Sequence, residues 1–180
     1  KISYRSLLDE TYRFAEALQQ IGVEQDERVA IMLPNIPQAV ITYNASLFLG
    51  AIVVQVNPMY TEREILHLLT DSGATTIICL DIQFDRVAKI QSQTSIERII
   101  VTSVSEYLPL RKKVLYPFTQ KTLPKIPRKD HVYLFQNLLH LVPMATAIDT
   151  VIKQPDDLAL LQYTGGTTGL AKGSMLTHRN

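Results

Sequence analysis

The chain has 180 residues, enough for one domain with its own core, and 46% apolar against 19% charged residues excludes a disordered composition. A formal net charge of +1 gives no general attraction to nucleic acid, and no apolar run approaches the ~20 residues of a membrane-spanning helix. The single cysteine, Cys79, excludes an internal disulfide; set in the apolar run Thr76 to Leu80, it reads as core, and this usage fits a reducing, cytoplasmic setting. No basic segment followed by an apolar stretch marks a secretory signal. Both ends read as cut: Lys1 leads almost at once into a helix, and Asn180 follows closely on a motif, so a fragment is expected.

From Tyr4 to Ile21, apolar residues recur at helical spacing (Leu7, Leu8, Phe14, Ala15, Leu18, Ile21), and Gly22 supplies a stop. Arg28 to Leu33 reads as a buried strand closed by Pro34, Gln38 to Leu49 as an apolar helix, and Ile52 to Val56 as a strand before the turn Asn57-Pro58. Thr61-Glu62-Arg63-Glu64 has the form of a capping box and opens a helix to about Ser72, ended by Gly73. Thr75 to Leu80 is a β-branched strand, Gln83 to Gln91 a weakly patterned helix, and Ile99 to Thr102 another strand. Strand and helix alternate with short connections, which implies parallel strands and crossover helices. The predicted fold is α/β, an incomplete doubly wound, mostly parallel sheet with helices on both faces. Ligands gather at the carboxyl ends of the strands in such sheets.

The alternation breaks after Thr102, and residues 103–156 read as an irregular basic and proline-containing segment. Between Tyr107 and Lys129 there is no acidic residue but seven basic ones, Arg111, Lys112, Lys113, Lys121, Lys125, Arg128 and Lys129, interleaved with Tyr116, Phe118 and prolines 109, 117, 124 and 127. The prolines oppose a long helix. Two readings stand for this stretch: a solvated loop, or peripheral contact with an anionic membrane, where each basic residue adds ~1 kcal/mol at the surface. Some order returns at Val132 to Leu141, a loop runs through Pro143 to Pro155, and Leu158 to Tyr163 is a strand.

The stretch Leu161-Gln162-Tyr163-Thr164-Gly165-Gly166-Thr167-Thr168-Gly169-Leu170-Ala171-Lys172-Gly173 carries the chemistry. Four glycines and three threonines cluster between two apolar segments, with one lysine near the end. Glycine lets backbone N–H groups turn toward an anion, threonine hydroxyls add donors, and Lys172 supplies a mobile positive charge. Composition alone is equally compatible with a flexible hairpin. A Walker loop is excluded, because it requires Gly-Lys-Ser/Thr leading into a helix, whereas Ala171 precedes Lys172, Gly173 follows, and Ser174-Met175-Leu176 reads as a strand.

The order of these residues resembles the phosphate-loop signature of the adenylate-forming superfamily, which includes acyl-CoA synthetases, firefly-type luciferases and peptide-synthetase adenylation domains. The usual form, Tyr-Thr-Ser-Gly-Thr-Thr-Gly-x-Pro-Lys-Gly with a later Thr-His pair, is matched at Tyr163, Thr164, Gly166, Thr167, Thr168, Gly169, Lys172, Gly173, Thr177 and His178. It departs at Gly165, where Ser is usual, and at Ala171, where Pro is usual. Both departures, and Met175 to Asn180, are similar to bacterial long-chain fatty-acid–CoA ligases. Upstream, Leu49-Gly50-Ala51, Val56-Asn57-Pro58-Met59-Tyr60 and Glu64 resemble early segments of acyl-CoA synthetases. The resemblance thus spans nearly the whole chain and implies part of the family's N-terminal domain, with 163–173 as its phosphate-binding loop.

The resemblance implies ATP-dependent joining of a carboxylate to give an acyl-adenylate and pyrophosphate, with Mg²⁺ present, followed by attack of the coenzyme A thiol to give a thioester. A fatty acid, ATP and coenzyme A are the implied partners, with no nucleic acid. Thr164, Gly165, Gly166, Thr167, Thr168, Gly169 and Lys172 would hold the β- and γ-phosphates, and Lys172 would also act catalytically on the departing pyrophosphate. The family's later motifs and its terminal catalytic lysine are expected beyond Asn180, so the piece alone is expected to be inactive. Another adenylate former acting on an aryl or amino acid, or a non-catalytic binding module, are the alternatives. No metal site is predicted, because His67, His131, His140 and His178 lack ligand spacing. His67 reads as a helix-surface or packing residue, Tyr163 as packing the base of the loop, and His178 either as part of a local cap or as a phosphate contact.

Overall fold

The computed structural model describes residues 2–109, 111–112, 126–142, 151, 153–164 and 171–180. Helix α1 (Tyr4–Gln20) starts where the Ser3 hydroxyl accepts from the Ser6 N–H. Strand β1 (Arg28–Met32), helix α2 (Pro37–Phe48) and strand β2 (Ile52–Gln55) follow. Helix α3 (Glu62–Ser72) carries the capping box read from the sequence: Thr61 Oγ1 accepts from the Glu64 N–H, and the Glu64 carboxylate accepts from the Thr61 N–H at 2.7 Å. Those bonds hold the Glu64 carboxyl below its ordinary range. At the other end Gly73 stands at φ 63°, a left-handed conformation that closes the last turn and that other residues adopt only under strain.

Strand β3 (Thr76–Leu80) leads through a 3₁₀ turn (Asp81–Gln83) into the short helix α4 (Phe84–Ile90). The sequence pattern predicts this helix from Gln83. The structure starts it one residue later because the Gln83 side chain bonds backward, accepting from the Leu80 N–H and donating to the Pro58 carbonyl at 2.9 Å. Strand β4 (Arg98–Thr102) is followed, within the segment read as irregular, by a 3₁₀ turn (Val104–Tyr107), strand β5 (Val132–Leu134) and helix α5 (Phe135–Leu141). Strands β6 (Leu158–Thr164) and β7 (Lys172–Thr177) complete the described elements.

The strands form one sheet in the order β5-β4-β3-β1-β2-β6-β7, parallel throughout except for the antiparallel β6–β7 pair. Successive β1 residues point to opposite faces, so Val29 and Ile31 enter one core while Ala30 and Met32 enter the other. The first core packs α1, α2 and α5 through Phe14, Leu18, Ile41, Ala45, Phe135 and Leu138. The second packs α3 and α4 through Ile65, Leu68, Leu69, Val87 and Ile90. Helix α2 steps from β1 to β2 on one face, whereas α3 and α4 step the other way along the sheet on the opposite face, as a constant crossover hand requires. The doubly wound, mostly parallel architecture expected from the sequence is therefore present.

Cys79 lies in the second core, fully buried, and burial, aided by the Asp81 charge, pushes its thiol up to about 12. It is an inert packing residue at neutral pH. On the first face Arg13 reaches from α1 to the end of α5, donating from Nε to the Val142 carbonyl at 2.6 Å and from Nη2 to the Leu139 carbonyl. It thereby satisfies carbonyls that a helix end leaves without partners. At the carboxyl end of β4, fully buried Gln38 donates to Thr102 Oγ1 at 3.0 Å and to the Ser103 carbonyl at 2.9 Å, fixing the start of α2. The Glu106 carboxylate accepts from Thr102 Oγ1 at 2.6 Å in the same cluster, and burial holds its carboxyl above the ordinary range despite those bonds.

Candidate phosphate-binding site

Every parallel strand ends on one edge of the sheet, and β6 brings Thr164 to that edge. Gln162 is in register with Gln55, the last residue of β2. The chain then returns as β7, with Thr164 opposite Lys172 and Tyr163 opposite Gly173. Thr164 and Lys172 are therefore cross-strand neighbours at the loop end of the hairpin, both exposed. The sequence-predicted contacts Gly165, Gly166, Thr167, Thr168 and Gly169 lie outside the described residues. On the same edge an open, mainly apolar cavity of ≈ 570 Å³ is lined by Leu7, Ile36, Pro37, Val40, Tyr43 and Gln55. Both features stand where ligands collect in parallel α/β sheets.

The loop end of the hairpin is held by helix α3. Tyr163 is 5% exposed, and its hydroxyl donates to Asp71 Oδ2 at 2.6 Å. Burial first, and the Asp71 carboxylate second, raise the Tyr163 phenol well above its ordinary value, so it remains a donor. To reach α3 the ring crosses Gly173. A Cβ on that glycine would stand 3.0 Å from Tyr163 Cζ and 3.1 Å from Cε2, so a larger residue at 173 would press the ring aside by a few tenths of an ångström. The packing role read for Tyr163 is realised, with a polar tip that the sequence did not disclose.

His67 was read as a surface or packing residue. The structure adds a specific contact: its Nε2 lies 3.1 Å from the Ala171 carbonyl oxygen, on the residue before Lys172. The only sequence signal for it is that His67 and Asp71 are four apart on one helix and so share a face. The two readings of His178 are also separated. Thr177 pairs with Leu158 at the other end of β7, the His178 N–H donates to the Asp157 carbonyl, and Thr177 Oγ1 accepts from the Arg179 N–H. Along a strand, the six steps from Lys172 to His178 span roughly 20 Å, so the local turn accounts for His178.

Among the described residues no group of three His, Cys, Asp or Glu side chains is placed to hold a metal ion. Among the same residues no helix is long and apolar enough to cross a membrane.

Residues 1–180 match the model of the family described as AMP-binding enzyme. The chain belongs to this family. Similar curated relatives include long-chain-fatty-acid–CoA ligases of Bacillus subtilis, 41% identical over all of the chain and 32% of that protein, and of Escherichia coli O157:H7, 38% identical over 99% of the chain and 32% of that protein. The chain thus spans about a third of the length of the relatives it matches. Among solved structures, a long-chain-fatty-acid–CoA ligase from Archaeoglobus fulgidus superposes with a TM-score of 0.75 at 26% identity, covering 98% of this chain and 30% of that one. ATP-bound MatB from Rhodopseudomonas palustris superposes with a TM-score of 0.74 at 25% identity, covering 99% of this chain and 30% of that one. The chain therefore has the mostly parallel sheet of the CoA-ligase N-terminal region.

Proposed function

We propose that this AMP-binding chain is the phosphate-gripping part of a long-chain fatty-acid–CoA ligase acting on the cytoplasmic side. The observation that carries the reading is the placement of Thr164 and Lys172 side by side at the carboxyl edge of the sheet, at the two ends of the Gly/Thr-rich stretch. In the proposed reaction a fatty-acid carboxylate oxygen bonds to the α-phosphorus of ATP as the bond to the pyrophosphate oxygen breaks. The thiol sulfur of coenzyme A then bonds to the acyl carbon, loses its proton and displaces AMP. Thr164, Thr167 and Thr168 offer hydroxyl donors and the glycines N–H groups to the β- and γ-phosphates. Lys172 balances charge on the departing pyrophosphate. Mg²⁺, when bound with the nucleotide, would neutralise phosphate charge in the same step.

Long-chain acids are favoured over the aryl and amino-acid alternatives by the identity of 41% to a fatty-acid ligase against 30% to 4-coumarate–CoA ligase 1 of Arabidopsis thaliana. The test is ATP–pyrophosphate exchange by the full-length protein across acids of graded length. Exchange is expected to rise with long-chain acids over short and aryl ones. No exchange with any acid would support the non-catalytic module instead.

For the basic stretch Tyr107–Lys129 the solvated loop is the simpler reading, and peripheral membrane contact is its rival. Charge reversal at Arg111, Lys112 and Lys113 distinguishes them by co-sedimentation with anionic liposomes: a membrane contact loses most of its bound fraction, and a solvated loop shows no change.

A further inference from the structure

We infer that His67, with Asp71 one turn further along α3, positions both ends of the phosphate-binding hairpin, and through them the Thr164 hydroxyl and the Lys172 ammonium. The inference rests on the hairpin's proposed role and extends it to a helix 104 residues from Ala171 and 92 from Tyr163 in sequence. The two contacts fall on opposite arms. Asp71 takes the Tyr163 hydroxyl on β6, one residue before Thr164, and His67 meets the Ala171 carbonyl, one residue before Lys172.

A carbonyl oxygen only accepts, so His67 Nε2 carries the hydrogen in this contact, as it does in both the Nε2–H tautomer and the imidazolium. Fixing that oxygen fixes the plane of the Ala171–Lys172 peptide, and with it the direction in which the lysine leaves the backbone. The helix that supplies both contacts is capped at each end, by the Thr61–Glu64 box and by left-handed Gly73, and its apolar face is buried in the second core. With both arms held by one rigid helix, Thr164 and Lys172 have less freedom left to lose when they meet phosphate oxygens. His67 thus acts through its neighbours and touches no reacting atom in this account.

The test uses the full-length protein and compares His67→Ala, His67→Gln, Tyr163→Phe and Lys172→Ala by pyrophosphate exchange, with separate KM values for ATP and fatty acid, and by thermal melting. His67→Ala is expected to raise the ATP KM about tenfold, roughly one hydrogen bond's worth, while leaving the fatty-acid KM and the melting temperature unchanged. His67→Gln, whose amide nitrogen also donates, is expected to restore most of the affinity, and Tyr163→Phe to shift the ATP KM in the same direction as His67→Ala. A wild-type ATP KM in His67→Ala, beside a Lys172→Ala variant that has lost exchange, overturns this inference and leaves the loop reading standing. Parallel rises in both KM values with a lowered melting temperature and no rescue by glutamine reduce His67 to a packing residue and also overturn it. Unchanged exchange in Lys172→Ala removes the loop reading and the inference with it.

Discussion

Lys172→Ala in the full-length protein should lower ATP–pyrophosphate exchange about a hundredfold and leave folding stability nearly unchanged. Lys172 is the first residue of β7, exposed, and among the described residues no carboxylate pairs with it. Removing an exposed, unpaired side chain costs within about 0.5 kcal/mol of stability. The catalytic cost is set by the charge that gathers on pyrophosphate as its bond to the α-phosphorus breaks. One positioned donor or cation at such a developing charge contributes about 3 kcal/mol, which is the hundredfold. Lys172→Arg should recover only part of the rate, because a planar guanidinium does not occupy the position of a compact ammonium. Single-turnover measurement of acyl-adenylate formation checks the assignment. A normal rate in Lys172→Ala with a slowed thioester step would place the lysine in the second half-reaction.

Phe14→Ala should be the most damaging of the proposed substitutions to stability, at about 3–5 kcal/mol in urea unfolding. Phe14 has 0% exposure and packs on Phe135 with ring centroids 4.5 Å apart at 32°. That pair joins α1, which precedes the first strand, to α5, which follows the strand at the far edge of the sheet. Truncation removes the buried area and leaves a cavity that two helices packed on a rigid sheet cannot close. Phe14→Leu should cost under about 1.5 kcal/mol, since most of the volume remains. Equal costs for the two variants would show that ring contact, and not filled volume, holds α1 to α5.

What was legible in the chain was local. The Thr61–Glu64 box and Gly73 bound α3 because their partners lie within four residues. The apolar strands announced themselves because both faces of the sheet are buried, so Arg28 to Leu33 and Thr75 to Leu80 read as near-continuous apolar runs. Residues 132–141 were less clear, since a three-residue strand and a seven-residue helix are too short for a period to emerge.

The sequence by itself determined the element types, the doubly wound class and the order of residues that marks the phosphate loop, because hydrophobic period, capping chemistry and motif spacing are all written in near neighbours. Only the tertiary structure decided that β6 lies beside β2, that Thr164 faces Lys172, and that His178 sits at the far end of β7. It alone brought His67 and Asp71 to the loop end of the hairpin. Those placements depend on which strands pair and which helix crosses which face, a choice made by packing across the sheet between residues about a hundred positions apart.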